Sequence, residues 1–233
     1  MKVNQEQIAA LYAFTRKHYV EFYDLQTELV DHLANAIEAQ WEKNPEIPFE
    51  EALQIEFKKF GIFGFTEIVE QRQNALHKRY LKIIWQQFKS FFKLPKIIGS
   101  VGSVYLLYLV FRNYEKLTFV LWLLLLLHMV ASFVYMIVQK QKQFKQKEDR
   151  KFIFKELIYT FGINSLVMQV PVQLFVFFDN SAEGVASLVG AFTMATLIVC
   201  YLLYTYITFF VIPKNAEKYL NEVYPEYKFM QQA

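Results

Sequence analysis

A run of twenty-two predominantly apolar residues, 117–138, constrains the fold most strongly. Its only side chain that ionises near neutral pH is His128. An α-helix rises about 1.5 Å per residue, so about twenty residues cross the roughly 30 Å hydrocarbon core of a bilayer. We therefore interpret residues 117–138 as a transmembrane helix, and the chain as an integral membrane protein.

Three further apolar segments predict additional spans at about 97–113, 156–178 and 185–212. The first is the shortest, and it needs local thinning of the bilayer or flanking residues to cross. Together with 117–138 these segments predict a four-helix transmembrane bundle. Because the amino-terminal residues also show helical periodicity, the predicted fold class is all-α, with a cytosolic helical domain followed by the bundle.

The distribution of Lys and Arg predicts the orientation of the spans, because loops rich in these residues stay on the cytoplasmic side. Seven Lys or Arg lie within 72–96 and six within the 139–151 loop, whereas the 179–184 loop has none. The amino terminus lacks the basic-then-apolar pattern of a cleavable signal peptide. We therefore expect a multi-pass protein of the inner (plasma) membrane, with both termini and the 139–151 loop in the cytoplasm.

Formal charge divides the chain in the same way. Residues 1–71 contain six Lys or Arg against thirteen Asp or Glu, whereas residues 72–155 contain sixteen against three. This contrast predicts four regions along the chain. They are an acidic cytosolic helical domain at 1–72, a basic amphipathic helix beside the membrane at 73–96, the four-span domain at 97–212 and a cytosolic tail at 213–233.

The basic residues predict contact with the lipid bilayer, because each Lys or Arg near an anionic inner leaflet contributes about 1 kcal/mol of attraction. Within 78–93 they alternate with apolar residues such as Tyr80, Ile83 and Ile84, which favours a helix at the headgroup level over an ordinary connecting helix. The same cations could instead hold the acidic domain, giving a docked and a released arrangement. The predicted lipid-surface residues are Lys78, Arg79, Lys82, Lys89, Lys93, Lys140, Lys142, Lys145 and Lys147.

Polar side chains within the spans form a candidate intramembrane cluster. Three of them recur at every fourth position of the third span, hence on one helix face, and His128 shares a face of the second span with Ser132. A small polar cavity or ligand path is one interpretation. Hydrogen bonding between helices is the other, and it is favoured because no charged residue joins the set. The cluster comprises Asn164, Ser165, Gln169, Gln173 and His128.

In the amino-terminal domain, a helix predicted at about 24–43 has an apolar stripe at every fourth residue and an acidic opposite face. We consider the acidic side a candidate interaction face rather than a metal site, because zinc normally requires two or more His or Cys ligands. No catalytic motif, phosphate loop or cofactor pattern is recognisable, so we expect no enzyme activity, no cofactor and no direct nucleic-acid binding. The candidate face comprises Asp24, Glu28, Asp31 and His32.

Two stretches, YVEFYDLQTELVDHLANAIEAQW and PFEEALQIEFKKFG, resemble the HAAS-type helical domain of bacteria. In that family a Leu/Asp-His-Leu helix precedes a helix with an EEA…FG pattern, and polytopic membrane segments commonly follow. The resemblance covers roughly residues 15–72, and the whole chain resembles uncharacterised four-span membrane proteins of flavobacterial type. The matching positions are Tyr19, Leu25, Glu28, Leu29, Asp31, His32, Leu33, Glu50, Glu51, Ala52, Phe60 and Gly61.

The resemblance implies a signalling role, since members of the wider family are linked to PadR-like transcription regulators. We therefore expect a regulatory or signalling membrane protein whose cytosolic domain binds a soluble partner such as a transcription regulator, and which can form homo-oligomers. The alternative is a small transporter or permease-associated subunit. Regulation is favoured because the interior of the spans contains no charged residue, whereas pathways for ions and polar solutes usually do.

Overall fold

A computed structural model describes residues 1–145, 151–160, 166–180 and 187–224 of the chain. All regular secondary structure in these ranges is helical, which confirms the predicted all-α class. Two compact units divide the chain, one of Met1–Lys78 with the described part of 148–153 and one of the remainder. The helices are α1 (Gln5–Lys17), α2 (Tyr23–Lys43), α3 (Phe49–Lys58), α4 (Thr66–Ser90), α5 (Lys96–Asn113), α6 (Glu115–Lys145), α7 (Ile153–Thr160), α8 (Leu166–Asn180), α9 (Leu188–Lys214) and α10 (Ala216–Val223).

Local hydrogen bonds set both ends of α1. The Asn4 side chain accepts from the Gln7 amide at 2.8 Å, and the Gln7 side chain accepts from the Asn4 amide at 2.9 Å. These bonds form the capping box that Asn followed three residues later by Gln predicts in the sequence. The helix ends in a Schellman turn, in which the Val20 amide donates to the Thr15 carbonyl. The left-handed position of this turn is occupied by Tyr19, with φ 63°, rather than by glycine.

The apolar stripe of α2 forms the core of the first unit, as its periodicity predicts. All five stripe residues are buried, and Trp41 also donates its indole N–H to the Ile47 carbonyl at 2.9 Å. The stripe therefore fixes the rotation of α2 about its axis and leaves the acidic residues on the outer side. The buried residues are Leu25, Leu29, Leu33, Ile37 and Trp41.

An aromatic cluster joins α1, α3 and the 61–65 turn. The His18 ring centroid lies 4.2 Å from that of Phe57 and 4.4 Å from that of Phe14, and Phe65 meets Phe57 edge-on at 5.0 Å. Gly64 lies against this cluster, with φ +54° and with Phe57 Cζ 3.0 Å from the place a Cβ would occupy. The turn therefore needs glycine at position 64 both for its backbone conformation and for the space it leaves to Phe57.

In the second unit, α5, α6, α8 and α9 pack around one apolar cluster. Among the described residues, two helices are long and apolar enough to cross a membrane, over Leu117–Lys142 in α6 and Leu188–Lys214 in α9. They coincide with the second and fourth predicted spans. The cluster comprises Phe111, Trp122, Leu125, Leu174, Ala191, Met194, Ala195, Ile198 and Tyr201.

The first and third predicted spans do not coincide with long apolar helices of this kind among the described residues. α5 covers the first predicted span, but it is not one of the two helices that are long and apolar enough to cross a membrane. α7 and α8 cover the start and the second half of the third, while 161–165 lie outside the described residues. Pro171 is buried inside α8, where its missing N–H frees the carbonyl of residue 167.

The helix of the fourth predicted span, α9, continues two residues beyond 212, where that span is predicted to end. α9 widens into a π-helical turn at Ile207–Val211, where the Ile212 amide donates to the Ile207 carbonyl, and then continues to Lys214. A proline ring inside a regular α-helix collides with the carbonyl four residues earlier, and the wider turn gives the ring room. The helix stops at Asn215, whose side-chain amide donates to the Val211 carbonyl at 2.7 Å.

The apolar face of α4 contributes to protein packing in the second unit. Tyr80, Ile83 and Ile84 are buried there, and the Tyr80 ring meets Phe154 edge-on at 6.4 Å. These three residues therefore belong to the protein core. The sequence pattern had suggested instead that they face the lipid headgroups, and that expectation is wrong for them. Trp85 remains 57% exposed on the other side of the helix.

Candidate functional site

A short segment that follows the basic loop binds to the start of α2 in the first unit. The Tyr23 amide donates to the Lys151 carbonyl at 2.7 Å, and the Ile153 amide donates to Asp24 Oδ1 at 3.4 Å. The amides of the first helical turn have no partner within the helix, and they are usually capped by a Ser, Thr, Asp or Asn side chain. Phe22 occupies the N-cap position and cannot supply such a group. The Lys151 carbonyl therefore supplies an acceptor for one of the amides at this helix start.

The side chains of this segment contribute unequally to its binding. Phe152 and Ile153 are buried, and the Phe152 ring meets the Tyr23 ring edge-on at 5.9 Å. Lys151 Nζ lies 3.2 Å from Glu21 Oε2, but both side chains are more than half exposed. Full burial of a large apolar side chain contributes about 1.5–3 kcal/mol, whereas an exposed ion pair contributes about 0–1 kcal/mol. Apolar contacts therefore hold the segment more strongly than charge does.

A polar pocket of about 320 Å³ lies beside the bound segment. Its walls include the charged side chains of Arg16, Glu21 and Lys151. At its base the buried Gln26 donates to the Val20 carbonyl at 2.5 Å and accepts from Arg16 Nε at 3.4 Å. The pocket thus has fixed polar walls and one side formed by the segment itself, so a group that enters it meets Lys151 directly.

The predicted interaction face of α2 is distributed over separate contacts. Asp24 accepts from Ile153, and Glu28 lies 3.7 Å from the Arg72 guanidinium. Asp31 accepts from the Asn35 side chain at 3.3 Å, and the His32 ring lies 6.0 Å from that of Phe60. The four side chains therefore line one helix without converging on a single point. Within the described ranges, no group of three His, Cys, Asp or Glu is placed to hold a metal ion.

The polar residues predicted within the spans are only partly brought together. His128 Nε2 lies 3.2 Å from Thr205 Oγ1 and 3.5 Å from Ser132 Oγ. Because the Thr205 hydroxyl donates to the Leu202 carbonyl at 2.9 Å, its remaining lone pairs suit a proton on Nε2 of the histidine. Thr205 was not predicted, because it is one of four threonines in α9 and nothing in their spacing singles it out.

The rest of the predicted polar cluster has no described contact with His128. Gln169 and Gln173 are exposed on α8. Asn164 and Ser165 lie outside the described residues. The hydrogen bond between His128 and Thr205 joins α6 to α9, so the described part of the cluster links two helices and does not outline a path.

The predicted lipid-surface residues of α4 are all exposed. Lys78, Arg79, Lys82 and Lys89 lie on the outer side of α4, and Lys93 follows its end. Arg79 donates to the Glu222 carbonyl of α10 at 3.2 Å, and Lys89 Nζ lies 5.7 Å from the centre of the Trp85 ring. In α6, Lys140 is half-buried and Lys142 is exposed, while the side chains of Lys145 and Lys147 lie outside the described residues.

Two functional residues escaped the sequence-based predictions. Phe152 and Ile153 lie between the basic 139–151 loop and the predicted third span at 156–178, and the sequence-based predictions assigned them to neither. A usable signal was the phenylalanine at the N-cap of α2, because a helix start without a capping side chain needs a partner from elsewhere.

Comparison of the chain with protein-family models, curated proteins and solved structures gave no significant match.

Proposed function

We propose that the chain is a multi-pass regulatory protein of the bacterial inner membrane, and that its HAAS-like amino-terminal domain binds a soluble cytosolic partner. The single observation that supports this role is the attachment of the 151–153 segment to the first turn of α2. Ile153 is also the first residue of α7. A movement of α7 that displaces Ile153 would therefore break its hydrogen bond to Asp24.

Regulation follows from competition for this attachment. Release of the segment uncovers the Tyr23 amide, the carboxylate of Asp24 and the ring of Tyr23, which a partner can then bind. The released state also opens the polar pocket on the side that Lys151 closes. In the bound state those groups are occupied by the segment. The two states of the domain therefore differ in which groups are available to a partner. Such a difference in available contacts is what a ligand or partner needs to shift an equilibrium.

Membrane location is supported by the two long apolar helices and by the sequence of the regions between the predicted spans. In the proposed topology four helices cross the bilayer, and both termini and the 139–151 loop are cytoplasmic. This topology places the 151–153 segment on the same side as the amino-terminal domain, which its attachment to α2 requires.

Cysteine labelling in intact cells tests the topology. Single-cysteine variants are made in a Cys200→Ser background at Lys145, Ala233 and Ala182. With a membrane-impermeant maleimide, we expect labelling of Ala182→Cys in intact cells, and of Lys145→Cys and Ala233→Cys only after the inner membrane is permeabilised. Labelling of Lys145→Cys in intact cells would refute the proposed orientation.

Quantitative affinity purification from native membranes tests the regulatory role. Phe152→Ala should weaken the attachment and increase the amount of a specific protein that copurifies. The same protein should be lost when Asp31→Arg is added on the predicted interaction face. If no copurifying protein changes in amount between wild type and Phe152→Ala, the segment does not control a binding domain.

A further inference from the structure

A cavity of about 500 Å³ lies in the second unit among the end of α4, the first turns of α5 and the carboxy-terminal half of α9. Binding sites for small molecules commonly have volumes of about 300–1,000 Å³. The wall from α9 is apolar and includes Val199, Leu202 and Leu203. The wall from α5 includes Lys96 at its start and three small residues, Gly99, Ser100 and Ser103. The cavity is thus large enough for part of a ligand and mostly apolar on one side.

One cation lies at the lining of this cavity. Lys96 Nζ is 4.7 Å from the centre of the Phe91 ring, and within the part of the chain that the structure describes it forms no ion pair. The ammonium group is therefore held near the cavity by an aromatic face while its charge stays available for an anion. An apolar wall beside an uncompensated cation suits a ligand with a hydrocarbon chain and an anionic head.

The glycine in the α5 wall leaves real space. A Cβ built at Gly99 would have no atom within 4 Å, so the cavity at this point is not filled by a neighbouring side chain. Gly102 has the same property one turn further along α5, but it does not line the cavity. The two glycines therefore form a matched pair: enlarging the first changes the cavity, and enlarging the second changes only the helix.

We propose that this cavity binds an anionic phospholipid of the inner leaflet, with its phosphate at Lys96 and one acyl chain along Val199, Leu202 and Leu203. The inference rests on the proposed function, in which the start of α5 and the end of α9 are at the cytoplasmic end of the spans. A second copy of the chain fits less well, because a helix is about 10–12 Å wide and a specific protein interface buries more than about 1,000 Å². Such an area exceeds what a cavity of this size offers.

Native mass spectrometry of the full-length protein in detergent tests this inference. Dioleoyl phosphatidylglycerol is the anionic probe, and dioleoyl phosphatidylcholine is the probe with the same chains and no net charge. Wild type should hold one phosphatidylglycerol more tightly than phosphatidylcholine. Lys96→Gln should weaken phosphatidylglycerol binding about fivefold, since one cation near anionic lipid contributes about that factor. It should weaken phosphatidylcholine binding less, because the choline cation offsets the charge of that lipid's phosphate.

The glycine pair provides the control for folding. Gly99→Leu should weaken binding of the retained lipid about tenfold or more by filling the cavity, whereas Gly102→Leu should bind as wild type does. Circular dichroism should show the same helix content in both variants. Equal loss in both variants, or no loss in Gly99→Leu, would overturn the inference. Displacement of the lipid by inorganic phosphate alone would also overturn it, because phosphate has no chain to occupy the apolar wall.

The outcome is separable from the proposed regulatory role. Lipid binding is measured in detergent and does not depend on orientation or on the 151–153 segment. Correct cysteine labelling with no lipid selectivity would remove the lipid site alone. Selective lipid binding with inverted labelling would reject the proposed topology, and with it the assignment of the lipid to the inner leaflet.

Discussion

The backbone carbonyl of Lys151 lies 2.7 Å from the amide of Tyr23, the first residue of α2, which has no acceptor within its own helix. This relationship makes the beginning of one helix depend on a distant part of the sequence. A hydrogen bond at a helix end stabilises it by about 0.5–2 kcal/mol, which is small enough to be exchanged for another contact. The attachment is therefore suited to a reversible switch and less suited to a permanent structural support.

Phe152→Ala should release the segment more effectively than Lys151→Gln. The first variant removes a buried ring, which in well-packed sites costs about 3–5 kcal/mol, whereas the second removes an exposed ion pair of about 0–1 kcal/mol. Hydrogen–deuterium exchange of the full-length protein should show faster exchange in the first turn of α2 for Phe152→Ala. In Lys151→Gln the same amides should exchange as in wild type. The reverse order would mean that charge holds the segment.

Tyr19→Gly should stabilise the first unit. Its φ of 63° destabilises the folded state by about 1–2 kcal/mol for a residue with a side chain, and glycine removes this strain. Glycine also loses more backbone entropy on folding, which offsets about 0.5–1 kcal/mol of the gain. The ring is 89% exposed, so little packing is lost. The expected net gain is about 0–1 kcal/mol, measured by chemical denaturation.

Tyr19→Ala is the matched control, because it removes the ring and keeps the Cβ that causes the strain. It should leave the free energy of unfolding near that of wild type. A loss of stability in both variants would show that the exposed ring makes a stabilising contact, and the strain argument would then be wrong.

The sequence was most informative where one local rule decides the structure. The stripe from Leu25 to Trp41 predicted the buried face of α2, and the Asn4–Gln7 pair predicted the start of α1, because both depend on spacing alone. Contacts between distant segments were not predictable in this way. Nothing in the spacing of Phe152 indicates Tyr23 as its neighbour, and Thr205 is invisible as a partner of His128 until α6 and α9 are packed together.

Gly64→Ala should destabilise the first unit more than Gly61→Ala. Both glycines have positive φ, and Gly61 takes the predicted left-handed position after α3, so each alanine incurs a backbone cost of about 1–2 kcal/mol. At Gly61 no atom lies within 4 Å of the added Cβ, whereas at Gly64 the Phe57 ring lies at 3.0 Å. The difference between the two free energies of unfolding therefore measures the contact with Phe57. Equal losses would show that the ring moves aside freely.

The first unit should lose stability as the pH falls below about 6.5, the ordinary pKa of histidine. Burial among Phe14, Phe57 and Phe65, followed by the charge of Lys17, lowers the pKa of His18. The folded state therefore binds the proton less readily than the unfolded state. The stabilising contribution is complete above the unfolded pKa and is lost as the pH falls through the lower, folded pKa.

His18→Phe keeps an aromatic ring in the cluster and removes the titrating group. Hydrogen exchange of α1 and α3 in the full-length protein, corrected for intrinsic rates, should become faster from pH 7.5 to pH 5 in wild type. In His18→Phe this acceleration should be reduced. The same acceleration in both proteins would assign the pH dependence to carboxylates elsewhere in the unit.

Replacing Gln169 and Gln173 together by leucine should weaken self-association of the chain. Both side chains are exposed on α8, and neither forms a hydrogen bond with another described residue. If α8 crosses the bilayer as proposed, two polar groups one turn apart face the hydrocarbon, and pairing with the same residues of a second copy would stabilise each by about 0.6–2 kcal/mol.

Val172, exposed on the same helix, is the control position, where leucine should change nothing. Chemical crosslinking in native membranes should therefore give less dimer for the double variant and wild-type amounts for Val172→Leu. Unchanged dimer in the double variant would show that these glutamines have lipid or water as their partner and do not hold two copies together.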